Sequence, residues 1–178
     1  MTEIAPRPRS VFASIIAKLV AVCAVIPYAL VGLGLRLIMA RVFFLSGQAK
    51  IEGPVIPIKT HIRDLEFSVI LPAGIKDATL RMFEAQYADL PIAPAVAAYL
   101  FSYAEFVLPI CLVLGFATRL SALALLGLTV LLQVYVMPGM LWVAHVYWAA
   151  ILLVLMTVGP GAISLDALIR AVYRRGEP

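Results

Sequence analysis

The sequence predicts an all-α, polytopic membrane protein, built as a four-transmembrane-helix bundle that forms one membrane domain over residues 1–178. The chain is 63% hydrophobic and 13% charged, whereas a soluble domain is about half apolar and a quarter charged. Its apolar runs approach about 20 residues, the length that crosses a hydrocarbon core about 30 Å thick. The net charge of +4 sits mainly at termini and turns, which suits membrane topology and argues against nucleic-acid binding.

Four apolar segments are long enough to form these helices. The first begins after Pro27, which lacks the N–H that a helix interior needs and so favours a break or kink. Residues 11–26 are predicted to form a lead-in segment, either interfacial or continuous with the first span. Gly159, Pro160 and Gly161 end the last span firmly. The predicted spans are residues 28–47, 95–116, 120–136 and 141–158.

Two segments lie outside the predicted spans. Residues 51–94 form an extracytoplasmic segment between the first two helices. Within it, Val55–Ile70 alternates apolar and polar residues, which favours a short hairpin, and Asp77–Tyr87 has the apolar spacing of an amphipathic helix. Because long ordered loops are often functional, this segment is a candidate docking surface. After the last span, Ser164 begins a short C-terminal amphipathic helix with Asp166 in its first turn.

The basic residues predict how the bundle is oriented. Cytoplasmic loops of membrane proteins carry an excess of Lys and Arg. In an N-in, C-in orientation the 51–94 segment, where acids slightly outnumber bases, faces the opposite side. The basic residues that then face the cytoplasm are Arg7, Arg9, Lys18, Arg119, Arg170, Arg174 and Arg175.

Ionisable residues inside the spans are costly unless they are paired. Arg36 and Glu105 lie near the midpoints of the first two spans, and this equal depth predicts that they pair. Pro109 leaves the carbonyl of Glu105 without its helical donor, and Arg36 could satisfy that carbonyl too. Two interpretations of the pair stay open. One is an interhelical clamp, and the other is a proton-handling or ligand-binding carboxylate in a polar pocket.

A second polar layer is predicted nearer the outer surface. Gln133 lies near the outer end of the third span and His145 about one turn into the fourth. Helical spacing carries Lys50 from the Arg36 face to the same level. These residues are candidates for handling a ligand or a proton. For His145, a quinone or proton contact competes with a structural, hydrogen-bonded role.

A metal site is the weaker hypothesis. Met137, Met140 and His145 offer soft ligands of the kind that hold Cu(I), but methionines beside a turn more often pack, so no metal site is favoured. Cys23 and Cys111 stand in separate apolar runs and form neither a CxxC pair nor a zinc set. The sequence contains no nucleophile elbow, Walker loop or His-Glu-x-x-His motif, so nothing supports a nucleophilic or phosphate-handling enzyme.

Several motifs in combination resemble the DoxX family of small four-helix bacterial membrane proteins. The resemblance covers about residues 28–168, and Arg41 departs from it because a small or apolar residue is expected there. The matching segments are RLIMA from Arg36, FFLSG from Phe43 with Lys50, MFEAQY from Met82, YAE ending at Glu105, LP at Pro109, TR at Arg119, then Gln133, Pro138, His145 and Trp148, and finally GPG from Gly159 and SLD ending at Asp166.

The resemblance implies a multi-pass protein of the bacterial inner membrane that serves a redox-linked complex, at most as a quinone-linked oxidoreductase subunit. Its implied partners are the lipid bilayer and another protein of that complex, and quinone is the candidate ligand. A transport or export component for a metal or thiol compound, or a non-catalytic scaffold, are the alternatives. The ligand or proton-handling candidates are Arg36, Glu105, Gln133, His145 and Lys50, and the structural motif residues are Gly47, Pro109, Arg119, Gly159, Pro160, Gly161 and Asp166.

Overall fold

The computed structural model describes residues 11–59 and 66–175, so the predicted roles of Arg7 and Arg9 lie outside the described residues. The helices are α1 (Val11–Cys23), α2 (Tyr28–Lys50), α3 (Asp77–Gln86), α4 (Pro94–Leu114), α5 (Thr118–Leu131), α6 (Val146–Val158) and α7 (Leu165–Arg175). The strands are β1 (Ile51–Glu52), β2 (Val55–Lys59), β3 (Glu66–Ile70) and β4 (Gly74–Ile75).

Four helical segments are long and apolar enough to cross a membrane, which confirms the predicted fold class. They are Tyr28–Lys50, Pro94–Leu114, Thr118–Val136 and Pro138–Val158. Two π-helical turns, Leu132–Val136 and Leu141–His145, extend α5 and precede α6. Such wide turns are rare and are frequently found at functional sites. Here they carry Gln133 and His145.

Proline and glycine residues set the ends of the spans. Pro27 precedes α2 in an extended conformation, and residues 24–27 separate α1 from α2, so the lead-in segment is not continuous with the first span. Pro94 opens α4, where its missing N–H costs nothing. Gly115 ends α4 with a left-handed φ of 67°, and Gly159 ends α6 with a φ of 95°.

Helix α1 stands apart from the bundle. Its apolar side chains are exposed, Phe12 at 72% and Leu19 at 65%. Its 13 residues make about 20 Å of helix, which is short of the roughly 30 Å hydrocarbon core. It is therefore a short apolar helix beside the start of α2 and not a fifth span.

The bundle is held together mainly by α2 against α4 and by α5 against α6. In lipid, helices associate through close van der Waals packing and not through the hydrophobic effect. The core side chains at most 2% exposed include Met39, Phe43, Phe101, Leu112, Leu125, Leu152 and Leu155. The outer faces of the spans leave many large apolar side chains exposed, as helices surrounded by lipid require.

Helices α2 and α4 pack antiparallel with an axial offset, so that their midpoints do not lie at the same level. Gly47, near the end of α2, lies against the backbone of Glu105 in the middle of α4. The first turns of α4 therefore extend beyond α2, where Phe101 packs edge-on against Phe83 and Tyr87. This stagger brings the midpoint of one helix to the end of the other, and it determines which polar residues meet.

The segment between α2 and α4 folds as a cap on this end of the bundle, here named the hairpin end. Strands β2 and β3 form an antiparallel hairpin, and β1 pairs with β4. The carbonyl of Lys50 accepts bonds from the Thr79 hydroxyl (3.0 Å) and the Lys76 amide (3.2 Å). The side-chain amide of Gln48 bonds both the N–H and the C=O of Ile70. The cap is thus fastened directly to the last turn of α2.

At the opposite end, here named the tail end, α4 ends, α5 begins and α6 ends. Asp166 joins these parts, because its two carboxylate oxygens accept from the amides of Ala117 (2.8 Å) and Thr118 (3.0 Å). Its own N–H donates to the carbonyl of Gly115 at 2.9 Å. A carboxylate on the first N–H groups of a helix stabilises that helix start. Ser164 caps α7 through a 3.1 Å bond from the Ala167 amide.

Candidate functional site

The predicted pairing of Arg36 with Glu105 was wrong. Arg36 is fully buried, but its guanidinium donates to the carbonyls of Leu112 (3.3 Å) and Val113 (3.4 Å), and to that of Ile163. The stagger of the helices is the reason. Arg36 lies eleven residues, roughly 16 Å of helix, from the point where α2 meets Glu105. It satisfies terminal carbonyls of α4 and fastens the tail segment to them.

The partner of Glu105 is Lys50. The two form a salt bridge through Glu105 Oε2, and the Lys50 ammonium also donates to Ser46 Oγ at 2.7 Å. Glu105 is 1% exposed and Lys50 9% exposed. Buried charges persist only when each has a partner and further hydrogen bonds. This pair therefore links α2 to α4 at the level predicted for the outer polar layer.

A glycine and a proline shape the backbone beside this pair. Pro109 has no N–H, so the carbonyl of Glu105 lacks its helical donor. A Cβ on Gly47 would lie 2.9 Å from that carbonyl carbon and oxygen. The hydrogen that Gly47 carries there instead permits a Cα–H···O contact of the kind found at close helix–helix interfaces. Gly47 and Pro109 together let α2 reach the backbone of α4.

The geometry fixes the hydrogen-bonding role of each nitrogen of neutral His145. Gln133 Nε2 donates to the carbonyl of Pro138 at 2.7 Å, which turns the amide oxygen toward His145. His145 Nδ1 lies 2.7 Å from that oxygen and must therefore donate to it. In a neutral imidazole the other nitrogen is then an acceptor. No hydrogen bond to Nε2 occurs among the described residues.

A cavity of about 140 Å³ joins the Lys50–Glu105 pair to His145. Its polar wall consists of Ser46, Lys50, Tyr87, Glu105 and His145, and its apolar wall includes Phe43, Leu132, Met137 and Trp148. Spans one, two and four thus contribute Lys50, Glu105 and His145 to one site. Gln133 acts through His145, and Arg36 lies elsewhere. The volume has room for a few water molecules or one small group.

Tyr87 was not among the predicted site residues, yet it closes the cavity from the cap. It stacks on Phe83 with ring centroids 4.0 Å apart. Burial, and secondarily the negative charge of Glu105, raises the pKa of its hydroxyl to about 12. The hydroxyl therefore remains a donor throughout the physiological pH range. The helical spacing of Phe83 and Tyr87 is the sequence signal that placed this side chain on a buried face.

The raised pKa of Tyr87 predicts a pH dependence of stability. The folded state favours the protonated hydroxyl of Tyr87. This preference contributes fully to the stability of the protein below the ordinary pKa of about 10, and the contribution is lost as the pH rises toward 12. The unfolding free energy of wild type minus that of Tyr87→Phe should be constant up to about pH 10 and then decrease. Glu105→Gln should lower the pKa of Tyr87, measured as tyrosinate absorbance against a Tyr87→Phe blank. A Tyr87 transition unmoved by Glu105→Gln would contradict the assigned geometry.

The remaining motif residues gather at the tail end, away from the cavity. Arg119 donates to the carbonyl of Thr157 at 3.2 Å, and Tyr28 donates to that of Gly159 at 2.9 Å. Both bonds hold the end of α6, and Gly161 lies against Ala29 at the start of α2. Pro160 is buried in the same turn. We conclude that this group fastens the helix ends.

The weaker metal hypothesis concerned Met137, Met140 and His145. Met137 and His145 both line the cavity, whereas Met140 does not. Within residues 11–59 and 66–175 no group of three His, Cys, Asp or Glu side chains could hold a metal ion. Cys111 is a free, half-buried cysteine of α4.

Comparison with known proteins assigns this chain to a family. The DoxX family model matches residues 31–138, which is more than half of the chain. The match includes Lys50, Tyr87 and Glu105 of the cavity and stops short of His145. No curated protein and no solved structure matches the chain. The chain belongs to the DoxX family of helical membrane proteins.

Proposed function

We propose that this protein is a membrane subunit of a redox-linked complex and that its cavity binds the headgroup of a quinone. The observation that carries the proposal is that donor residues and an acceptor residue line the same cavity. The Lys50 ammonium and the Tyr87 hydroxyl can donate to a quinone carbonyl. Nε2 of His145 can accept from the hydroxyl of the reduced form. A few convergent polar groups in an apolar wall are typical of small-molecule sites.

The dimensions of the cavity support a headgroup and not a whole lipid-soluble cofactor. Its volume of about 140 Å³ is below the roughly 300–1,000 Å³ of pockets that enclose drug-sized ligands. Phe43 and Trp148 pack edge-on in its wall, with centroids 5.6 Å apart, and offer flat apolar surfaces to a single ring. The hydrocarbon tail would remain outside, along the exposed faces of the spans.

The cap supports the proposed partner. The hairpin exposes Val55 at 58%, Ile56 at 45% and Ile58 at 37%. Apolar side chains on an extramembrane edge suit contact with another protein. With the N-in, C-in orientation in a bacterial inner membrane, which the basic residues of the tail end favour, this surface faces the periplasm beside the cavity. The partner would supply the redox centre, and this chain would hold the quinone.

Tryptophan fluorescence tests the quinone site directly. The chain contains two tryptophans, and Trp142 is 75% exposed, so Trp142→Phe leaves Trp148 as the reporter in the cavity wall. Titration of the purified protein with a short-chain quinone should quench this fluorescence saturably. Tyr87→Phe should weaken binding by about fivefold to tenfold, the value of one hydrogen bond of roughly 1 kcal/mol or slightly more.

Tyr147→Phe is the matched control, because Tyr147 is 60% exposed on the lipid side and its removal should leave binding unchanged. His145→Leu should weaken binding at least as much as Tyr87→Phe, since it removes the acceptor and the Gln133 bond together. Absence of saturable quenching in folded protein would reject the quinone site. The remaining functions for this protein would then be a non-catalytic scaffold or a transport component.

A further inference from the structure

Helix α7 is amphipathic and its apolar face is largely exposed. Leu165, Leu168, Ile169 and Val172 recur at the spacing of one helical face. They are 38%, 59%, 41% and 63% exposed, respectively. Arg170 and Arg174 project from the other side of the helix. Eleven residues with this division of polarity fit a helix that lies in the plane of a membrane interface.

The start of α7 is fixed at the tail end of the spans. Its first turn is held by Asp166, whose carboxylate accepts from the amides of Ala117 and Thr118. Arg36 holds the preceding carbonyl of Ile163 from within the bundle. These bonds fix the start of α7 at the level where α4 ends and α5 begins. In a bilayer that covers the four spans, an apolar face that starts at this level would meet the boundary between headgroups and acyl chains.

Two basic concavities flank α7. Arg119, Asp166 and Arg170 line one of about 290 Å³, and Arg170 and Arg174 line another of about 510 Å³. The carboxylate of Asp166 accepts backbone N–H bonds through both of its oxygens. Among the residues that the structure describes, Arg170 forms a hydrogen bond only through its Nε, to the carbonyl of Asp166 at 3.0 Å. Its terminal nitrogens are therefore available to an anion.

We propose that α7 lies in the lipid interface and that Arg119, Arg170 and Arg174 bind the phosphates of anionic phospholipids. Guanidinium groups pair with phosphate oxygens in a planar, bidentate way that suits lipid headgroups. The charge of the tail end is complementary to such lipids, because Asp166 is its only acidic side chain among the described residues. The hairpin end carries acids and bases together. The proposal is independent of the quinone site.

Lipid retention measures the charge part of this proposal. The full-length protein is purified from an equal mixture of phosphatidylglycerol and phosphatidylcholine, and the lipids that stay bound are counted by native mass spectrometry. Wild type should retain phosphatidylglycerol preferentially. Arg170→Gln and Arg174→Gln should each reduce that preference by roughly fivefold, since one basic residue near an anionic surface contributes about that factor. Arg81→Gln, an exposed arginine of α3 at the hairpin end, should leave it unchanged.

A nitroxide label measures the position of the helix. With Cys23 and Cys111 replaced by Ser, Val172→Cys carries the label in vesicles that contain phosphatidylglycerol. The label should be accessible to oxygen and shielded from a water-soluble relaxant. Exposure of the label to water would overturn the proposal, as would equal retention of both lipids by wild type. Spin–spin broadening between labels would show that a second copy covers α7, and that result would overturn it too.

Discussion

Replacing Lys50 with Met should destabilise the protein by about 3–5 kcal/mol, the cost of removing one partner from a buried ion pair. Glu105 is 1% exposed and would be left with an uncompensated charge in the interior of the bundle. Ser46 would lose the ammonium that it binds at 2.7 Å. Unfolding in mixed micelles, followed by circular dichroism, measures the change.

The second partner and a distant lysine provide the controls for this experiment. Lys50→Met combined with Glu105→Gln should be more stable than Lys50→Met alone, because the isolated charge is gone. Lys18→Met makes the same exchange at an exposed lysine of α1 and should change stability by no more than about 0.5 kcal/mol. Additive effects of Lys50→Met and Glu105→Gln would show that the two side chains are not coupled.

Replacing Gly47 with Ala should destabilise the bundle by about 1–3 kcal/mol, the usual cost of overpacking a core. The added Cβ would lie 2.9 Å from the carbonyl carbon and oxygen of Glu105. Because these are backbone atoms, no side-chain rotation can relieve the contact, and α2 must move away from α4. The movement would also stretch the Lys50–Glu105 pair, so quinone binding should weaken together with stability.

Gly34 supplies the matched control on the same helix. A Cβ at Gly34 would meet nothing within 4 Å, so Gly34→Ala should be neutral or stabilising by roughly 0.5–1 kcal/mol, as for glycine in a helix interior. Unfolding of the two variants under identical conditions separates close approach from helix propensity. Equal effects of Gly34→Ala and Gly47→Ala would disprove the tight contact between α2 and α4.

The number and type of the spans could be predicted because length and hydropathy are local properties of the chain. A stretch of about 20 apolar residues has few structures available to it in lipid. The ends of the helices at Pro27 and Gly159 could be predicted for the same reason, since each of these residues restricts or frees its own backbone. The prediction of the outer polar layer used only the position of each residue along its own span. In the structure Gln133 and His145 are in direct contact.

The axial offset between neighbouring helices could not be predicted in this way. Counting residues gives the depth of Glu105 relative to the ends of its own helix only. The offset is decided by the place where two backbones fit most closely, here Gly47 against the Glu105 carbonyl that Pro109 leaves free. Because of that fit, Glu105 pairs with Lys50 and not with Arg36, the partner expected from the sequence. The folding of the cap, which brings Tyr87 over the cavity, depends on the same offset.

The stagger of α2 and α4 also sets which end of the bundle lies nearer to the buried carboxylate of Glu105. Lys50 is the last residue of α2, so its salt bridge with Glu105 lies directly beneath β1 and α3. The shortest path from the Lys50–Glu105 pair to the outside of the protein therefore leads through the cap at the hairpin end and not along the length of the bundle.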